Sequence, residues 1–189
     1  MHFNCLSLAA LAAATASALA SAQASSPVPA DAKFGLVAIH SGSAVHNQGF
    51  NAALSSIFAG LPAQNASCAR PGEKYATFYL NEGALFLYDT SATPQQIYVD
   101  RSGMGQGKIG YTTGAQPAPR NAERTGWAIN ADGHLQFAGN DLVACPDSID
   151  GAFSIWASGV QNPAGNNDCV SIAARVVETT DPNGCLYTQ

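Results

Sequence analysis

From Phe34 to Val177 the chain is a succession of short apolar stretches, each cut off within a few residues by turn formers. Phe34–Ile39 stops at Ser41-Gly42-Ser43, Tyr75–Leu80 at Asn81-Glu82-Gly83, and Ala84–Tyr88 at the run from Asp89 to Pro94. Gln96–Asp100 places Ile97 and Val99 on one face and ends at Arg101-Ser102-Gly103. Trp127–Asn130 and His134–Phe137 face each other across Ala131-Asp132-Gly133, a hairpin signal because Asp-Gly tolerates positive φ. Phe153–Trp156 and Val170–Val177 complete the set, and in the last run Val170, Ile172, Ala174 and Val176 alternate with Ser171, Ala173 and Arg175. Strands this short with turns this frequent predict a single-domain, all-β, antiparallel sandwich or barrel. A three-fold β-trefoil also accommodates about ten to twelve strands. Only Asn51–Leu61 resists: Leu54, Ile57, Phe58 and Leu61 have helical spacing, so a helical turn and a bulged strand both fit.

The residues before this pattern differ in kind. The first 30 contain no Asp, Glu, Lys or Arg, and Leu6–Ala20 is an uncharged run of Leu, Ala and small polar residues. Ala20-Ser21-Ala22 supplies a small-x-small cleavage pattern, with Ala16-Ser17-Ala18 and Ala22-Gln23-Ala24 as competitors. The organisation expected is a signal peptide over residues 1–22, a flexible leader over 23–33 and one domain over 34–189. No later segment is apolar and long enough to span a bilayer as a helix, so no membrane is expected as a partner.

Cleavage would remove Cys5 and leave Cys68, Cys145, Cys169 and Cys185. An even number in an exported chain reads as two disulfides, with three possible connectivities. No two of them have the close spacing of zinc ligands, so no metal is expected. Asn65-Ala66-Ser67 is a sequon, and export makes Asn65 a candidate N-glycosylation site.

Charge narrows the function. Eight basic and thirteen acidic residues give a net charge of -5, and charged residues make up 11% of the chain against about 25% in an average globular protein. From Gly126 onward Arg175 is the only basic residue among seven carboxylates. Nucleic acid is therefore excluded as an expected partner.

The chemistry-bearing residues do not assemble into a catalytic pattern. Gly103–Lys108 (GMGQGK) has Ser102 and Ile109 where a phosphate loop needs Gly and Ser or Thr. Gly105–Gly110 matches a dinucleotide-type glycine pattern but runs into Tyr111-Thr112-Thr113 rather than a helix, so a glycine-rich hairpin is the reading. His40, His46 and His134 are the available bases and read as hydrogen-bonded structural histidines, with an acid-base or metal role as the alternative. Glu73, Glu82, Glu123 and Glu178 fall at turns or strand ends, where water keeps a carboxylate ionised. Asp141, Asp147 and Asp150 surround Cys145 without the spacing of a calcium loop. Trp127 and Trp156, with Tyr88 and Tyr98, are candidates for stacking on sugar rings, although such residues more often pack in a core. No catalytic residue and no cofactor is expected.

Four stretches together carry a resemblance: FGLVAIH (Phe34–His40) with Ser41–Asn51, CARPG (Cys68–Gly72), QQIYVDRSG (Gln95–Gly103), and Ala144-Cys145-Pro146 followed by Asp168-Cys169. In this order the chain resembles the fungal cell wall protein PhiA family, small secreted proteins associated with phialide and conidium development. Some members are allergens. Family members often carry two cysteines near Cys68, where this chain has one, and this chain adds Cys185. The resemblance implies the pair Cys145–Cys169, which leaves Cys68 and Cys185 as the second pair, and it implies no enzymatic activity and cell-wall polysaccharide or wall proteins as partners. A secreted glycan-binding module is the alternative, and a divergent secreted hydrolase the third.

Overall fold

The computed structural model describes Pro29 and residues 32–189. The expected signal peptide and most of the leader lie outside the described residues. Fifteen strands follow in chain order: β1 (Lys33–Ile39), β2 (Phe50–Ala53), β3 (Ser56–Ala59), β4 (Ser67–Cys68), β5 (Phe78–Asn81), β6 (Ala84–Leu87), β7 (Gln95–Asp100), β8 (Lys108–Thr113), β9 (Ala122–Glu123), β10 (Trp127–Ile129), β11 (His134–Phe137), β12 (Leu142–Cys145), β13 (Phe153–Ala157), β14 (Val170–Thr179) and β15 (Cys185–Leu186). Among the described residues the only helical pieces are single 3-10 turns at Ile149–Gly151 and Pro163–Gly165.

All ladders are antiparallel, and they close a circuit running β1, β5, β6, β7, β8, β13, β12, β14 and back to β1. Two joints are thin. Phe34 opposite Phe78 is the one register pair between β1 and β5, and Trp156 opposite Lys108 the one between β13 and β8. The β2–β3 hairpin leans on the second joint, with β3 pairing both β8 and β13.

Alternation decides which side chains face inward. Along β1, Phe34, Leu36 and Ala38 are buried; along β7, Gln95, Ile97 and Val99 are buried while Gln96, Tyr98 and Asp100 face outward. Each strand of the circuit contributes to one cluster: Leu36, Phe78, Leu85, Ile97, Ile109, Ile155, Leu142 and Ile172 are all at most 3% exposed. Burying each such side chain stabilises the fold by roughly 1.5–3 kcal/mol. Only about 10 Å³ is left empty among them, at the limit for one water. A ligand site must therefore lie outside the circuit.

The Asn51–Leu61 segment is neither a helical turn nor a bulge. It is the tight β2–β3 hairpin, in which Leu54 and Ser55 both take positive φ (49° and 55°). Left-handed backbone costs roughly 1–2 kcal/mol per residue without a Gly. The C-terminal segment offsets this: the Leu54 N–H donates to Thr188 Oγ1 and the Ser55 N–H to the Thr188 carbonyl, both at 3.1 Å. Helical spacing in the sequence was thus overridden by a contact 134 residues away.

The glycine-rich stretch is the loop of the β7–β8 hairpin. The Gly107 N–H donates to the Asp100 carbonyl at 2.8 Å, and a Cβ on Gly107 would stand 2.6 Å from the Ala157 carbonyl oxygen. Glycine is needed there for close packing.

Candidate functional site

Two disulfides brace the domain: Cys145 is bonded to Cys169 and Cys68 to Cys185. The second ties the two-residue strands β4 and β15 and so anchors the chain end. Beyond Cys185 the chain end threads back into the fold. The Thr77 N–H donates to the Tyr187 hydroxyl at 3.0 Å, and the buried Gln95 amide clasps the Tyr187 backbone, accepting at 2.8 Å and donating at 2.9 Å. Burial pushes the Tyr187 and Tyr111 phenols well above their ordinary value. Asn65 is exposed on a loop and adopts φ 52°, which Asn tolerates better than most residues.

The outward faces of β7 and β8 carry a groove made of two adjoining clefts. One, about 240 Å³, is lined by Tyr98, Asp100, Met104, Gly105, Lys108, Pro119, Trp156 and Ala164. The other, about 450 Å³, is lined by Ser55, Tyr98, Tyr111, Thr112, Gln116, Pro117, Ala118, Pro119 and Gln189. Tyr98 and Pro119 belong to both.

Tyr98 owes its position to its cross-strand partner, Gly110. A Cβ there would sit 2.6 Å from the Tyr98 hydroxyl oxygen and 2.7 Å from Cζ, so the phenol lies across the bare glycine backbone. Burial, followed by the nearby Asp100 carboxylate, raises its pKa. Lys108 reaches in from β8, its Nζ donating to Ser56 Oγ at 2.6 Å and standing 5.7 Å from the centre of the Trp156 ring. Burial lowers the pKa of this ammonium. Trp156 is 8% exposed and donates from Nε1 to Ser154 Oγ at 2.9 Å, so it forms floor rather than platform.

Trp127 is a correction to the stacking pair. It is 3% exposed and packs at 5.0 Å from Phe137, with no ring face open to a ligand, because its position on β10 points into the core. Tyr88 instead joins Tyr79 around the Lys33 ammonium, at 5.5 and 4.7 Å.

The histidines do not form a shared centre with carboxylates. His40 Nδ1 lies 2.6 Å from the Ser171 carbonyl, His46 Nδ1 accepts the His40 N–H at 3.2 Å, and His134 sits elsewhere, with its N–H on Asn130 Oδ1. His40 and His46 therefore meet, but through backbone. Glu123 pairs with Arg101 at 2.5 Å, and that guanidinium holds its carboxyl below the usual range. Glu82 is exposed at a turn, whereas Glu73 and Glu178 line a separate cleft of about 400 Å³ with Tyr75 and Asp181. Asp141 accepts from Gln136 at 2.8 Å, while Asp147 and Asp150 are exposed. Among the described residues no three His, Cys, Asp or Glu side chains form a cluster able to hold a metal ion.

Sequence reading passed over Lys108, Gln116 and Gln189 as site residues. The signal for Tyr98 was present, since the alternation that buries Ile97 and Val99 turns it outward. Nothing local announces that Gly110 lies opposite.

Fold and surface together define a class: a small, disulfide-braced, all-β antiparallel domain with a filled interior and shallow clefts on its outer face. The chain belongs to the PhiA-like secreted protein family, whose model matches residues 34–188. It is 68% identical, over the full length of both chains, to a cell wall protein phiA of Aspergillus fumigatus. Its identity to the protein of that name from Aspergillus niger is 65%, over 82% of this chain and 85% of the relative. A more distant relative with the same name, from Arthroderma benhamiae, is 41% identical over 74% of this chain and 78% of its own length. No solved structure matches the chain.

Proposed function

We propose that the protein resides in the cell wall and serves a structural or developmental role in phialide and conidium formation, without catalysing a reaction. The observation that carries this reading is the 68% identity, end to end, with a relative named as a cell wall protein. The geometry supports it. The His40 and His46 imidazoles, which a hydrolase would use as bases, are held by backbone groups, and Glu123 is held by Arg101. The closed circuit of ladders also favours the barrel over the open sandwich.

The test is genetic and biochemical. Fractionating sporulating cultures into medium, wall and cytosol should place the protein in the wall, and deleting the gene should impair conidiophore or spore formation. A chain with His40, His46 and His134 all replaced by Gln should restore the phenotype. If that variant folds and reaches the wall yet fails to restore it, the non-catalytic reading is wrong.

A further inference from the structure

We infer that the Tyr98 groove binds a linear, uncharged polysaccharide, with the Tyr98 ring as its central stacking platform. This rests on the wall-residence reading above and names the contact by which the wall would hold the protein.

Three observations converge on that occupant. The first is shape. Two clefts of about 240 and 450 Å³ share Tyr98 and Pro119, so they adjoin along the surface on either side of these residues. A long ligand fits such a groove better than a compact one.

The second is the platform. Tyr98 is half-buried and lies over Gly110, where any side chain would displace it. A phenol laid along a sheet presents a ring face outward, and the C–H face of a pyranose packs against such rings in the way that apolar surface packs on aromatics. Met104, 95% exposed, lines the smaller cleft beside Tyr98 and adds a polarisable thioether.

The third is charge. Among the lining side chains of the smaller cleft Lys108 and Asp100 are opposite in sign, and the lining of the larger cleft, with Ser55, Thr112, Gln116 and Gln189, carries no charged side chain. Neither a polycation nor a polyanion is favoured by that balance. Amides, hydroxyls, one ammonium and one carboxylate are instead the donors and acceptors that sugar hydroxyls use. The separate cleft around Tyr75 has the opposite character, with Glu73, Glu178 and Asp181 together, and it serves as an internal control.

The experiment measures depletion of the purified secreted protein from solution by insoluble chitin, β-1,3-glucan and cellulose, all neutral β-linked chains, with chitosan as a cationic counter-probe. The wild type should be depleted by at least one neutral polymer, and equally at 0.05 and about 0.5 M salt, where charge attraction is screened within a few ångströms. Tyr98→Ala should bind about tenfold more weakly, the change that about 1.4 kcal/mol produces. Tyr98→Phe should bind like wild type, because the ring face is kept. Tyr75→Ala should bind like wild type. Should Tyr98→Ala melt early, Gln116→Ala and Gln189→Ala, both at exposed positions, carry the test with an expected loss of several-fold.

Equal binding by wild type and Tyr98→Ala, or depletion by chitosan alone that vanishes with salt, overturns the inference. A wild type found in the wall but depleted by no neutral polymer also overturns it and leaves the wall reading standing. Absence from the wall fraction overturns that reading instead.

Discussion

Removing the Cys68–Cys185 bond should cost more stability than removing Cys145–Cys169, and the difference can be worked from the chain. The sequence separations are 117 and 24 residues. In chain-entropy terms these cross-links stabilise by about 4.9 and about 3.4 kcal/mol at 25 °C, a gap of about 1.4 kcal/mol. Cys185 and Cys145 are both fully buried, so replacing each pair by Ala removes similar apolar contacts and the packing losses largely cancel. For a domain of this size each kcal/mol moves Tm by about 2–4 °C. The Cys68→Ala/Cys185→Ala protein should therefore melt about 10–20 °C below wild type, and about 3–6 °C below Cys145→Ala/Cys169→Ala. Differential scanning calorimetry reads both values. A second assay addresses the local consequence. Once untethered, the chain end keeps its hydrogen bonds through Gln95, Thr77, Tyr88, Tyr111 and the β2–β3 turn but loses its covalent tie to β4. Carboxypeptidase should then trim Leu186–Gln189 from this variant and leave wild type intact. If the Cys145→Ala/Cys169→Ala protein is the less stable of the two, the loop-closure reasoning is refuted.

Two further outcomes follow from named groups. Asn65→Asp, which keeps a side chain tolerant of positive φ, should abolish a mass shift on endoglycosidase treatment while changing stability by no more than about 0.5 kcal/mol; an unchanged wild-type mass removes the glycan. Alkaline stability should fall above about pH 10, because unfolded tyrosines lose their protons there while Tyr111 and Tyr187, raised by burial, keep theirs when folded. Lys108 acts in the opposite sense, since burial lowers its folded value and stability is gained as pH rises through that value toward about 10.5. Denaturant titrations of Tyr111→Phe/Tyr187→Phe should show a flatter fall above pH 10 than wild type; parallel curves would contradict this.

Strands were legible where one face is buried and the other wet. Phe34–Ile39, Gln96–Asp100 and Val170–Val177 announce themselves by alternation, because a period of two in the sequence is the period of the pleat. The β2–β3 hairpin was not legible. Its four β2 residues are buried without alternation, and its turn uses Leu54 and Ser55 rather than a glycine, held by residues at the far end of the chain. Strand β12 hid for a related reason: Leu142–Cys145 has three buried positions in four and lies among acidic turn residues. Trp127 illustrates the limit for sites. Composition can nominate a tryptophan, but only the pairing of Trp127 with Phe137 across β10 and β11 puts it inside. Tyr98 was nominated from sequence, but its position across Gly110 was not legible, because that partner lies twelve residues further along.

Closure of the ladders bears on how such a protein can hold a partner. An exposed strand edge recruits other chains by backbone pairing, which is sequence-tolerant and prone to aggregation. In this fold the eight circuit strands each pair on both sides, even where a joint is a single register pair. Outside the circuit, β2, β9 and β10 end the ladders at four, two and three residues, too short to template a long addition. The interior is full, as the void of about 10 Å³ requires. With edge and interior both closed, recognition is left to side chains on the outer face, where a carboxylate-poor, tyrosine-centred groove and a carboxylate-rich, tyrosine-bearing cleft lie on opposite flanks of the choice. The acidic cleft draws on the low-base half of the chain, where Glu178 and Asp181 have Arg70 as the cation bonded to Asp181 at 3.1 Å. The groove draws on β7 and β8, where Lys108 and Asp100 are opposite in sign and the half-buried Tyr98 lies over Gly110. Retention by a neutral polymer would point to the groove and retention by a cationic one to the cleft, and salt separates the two because only the second is screened.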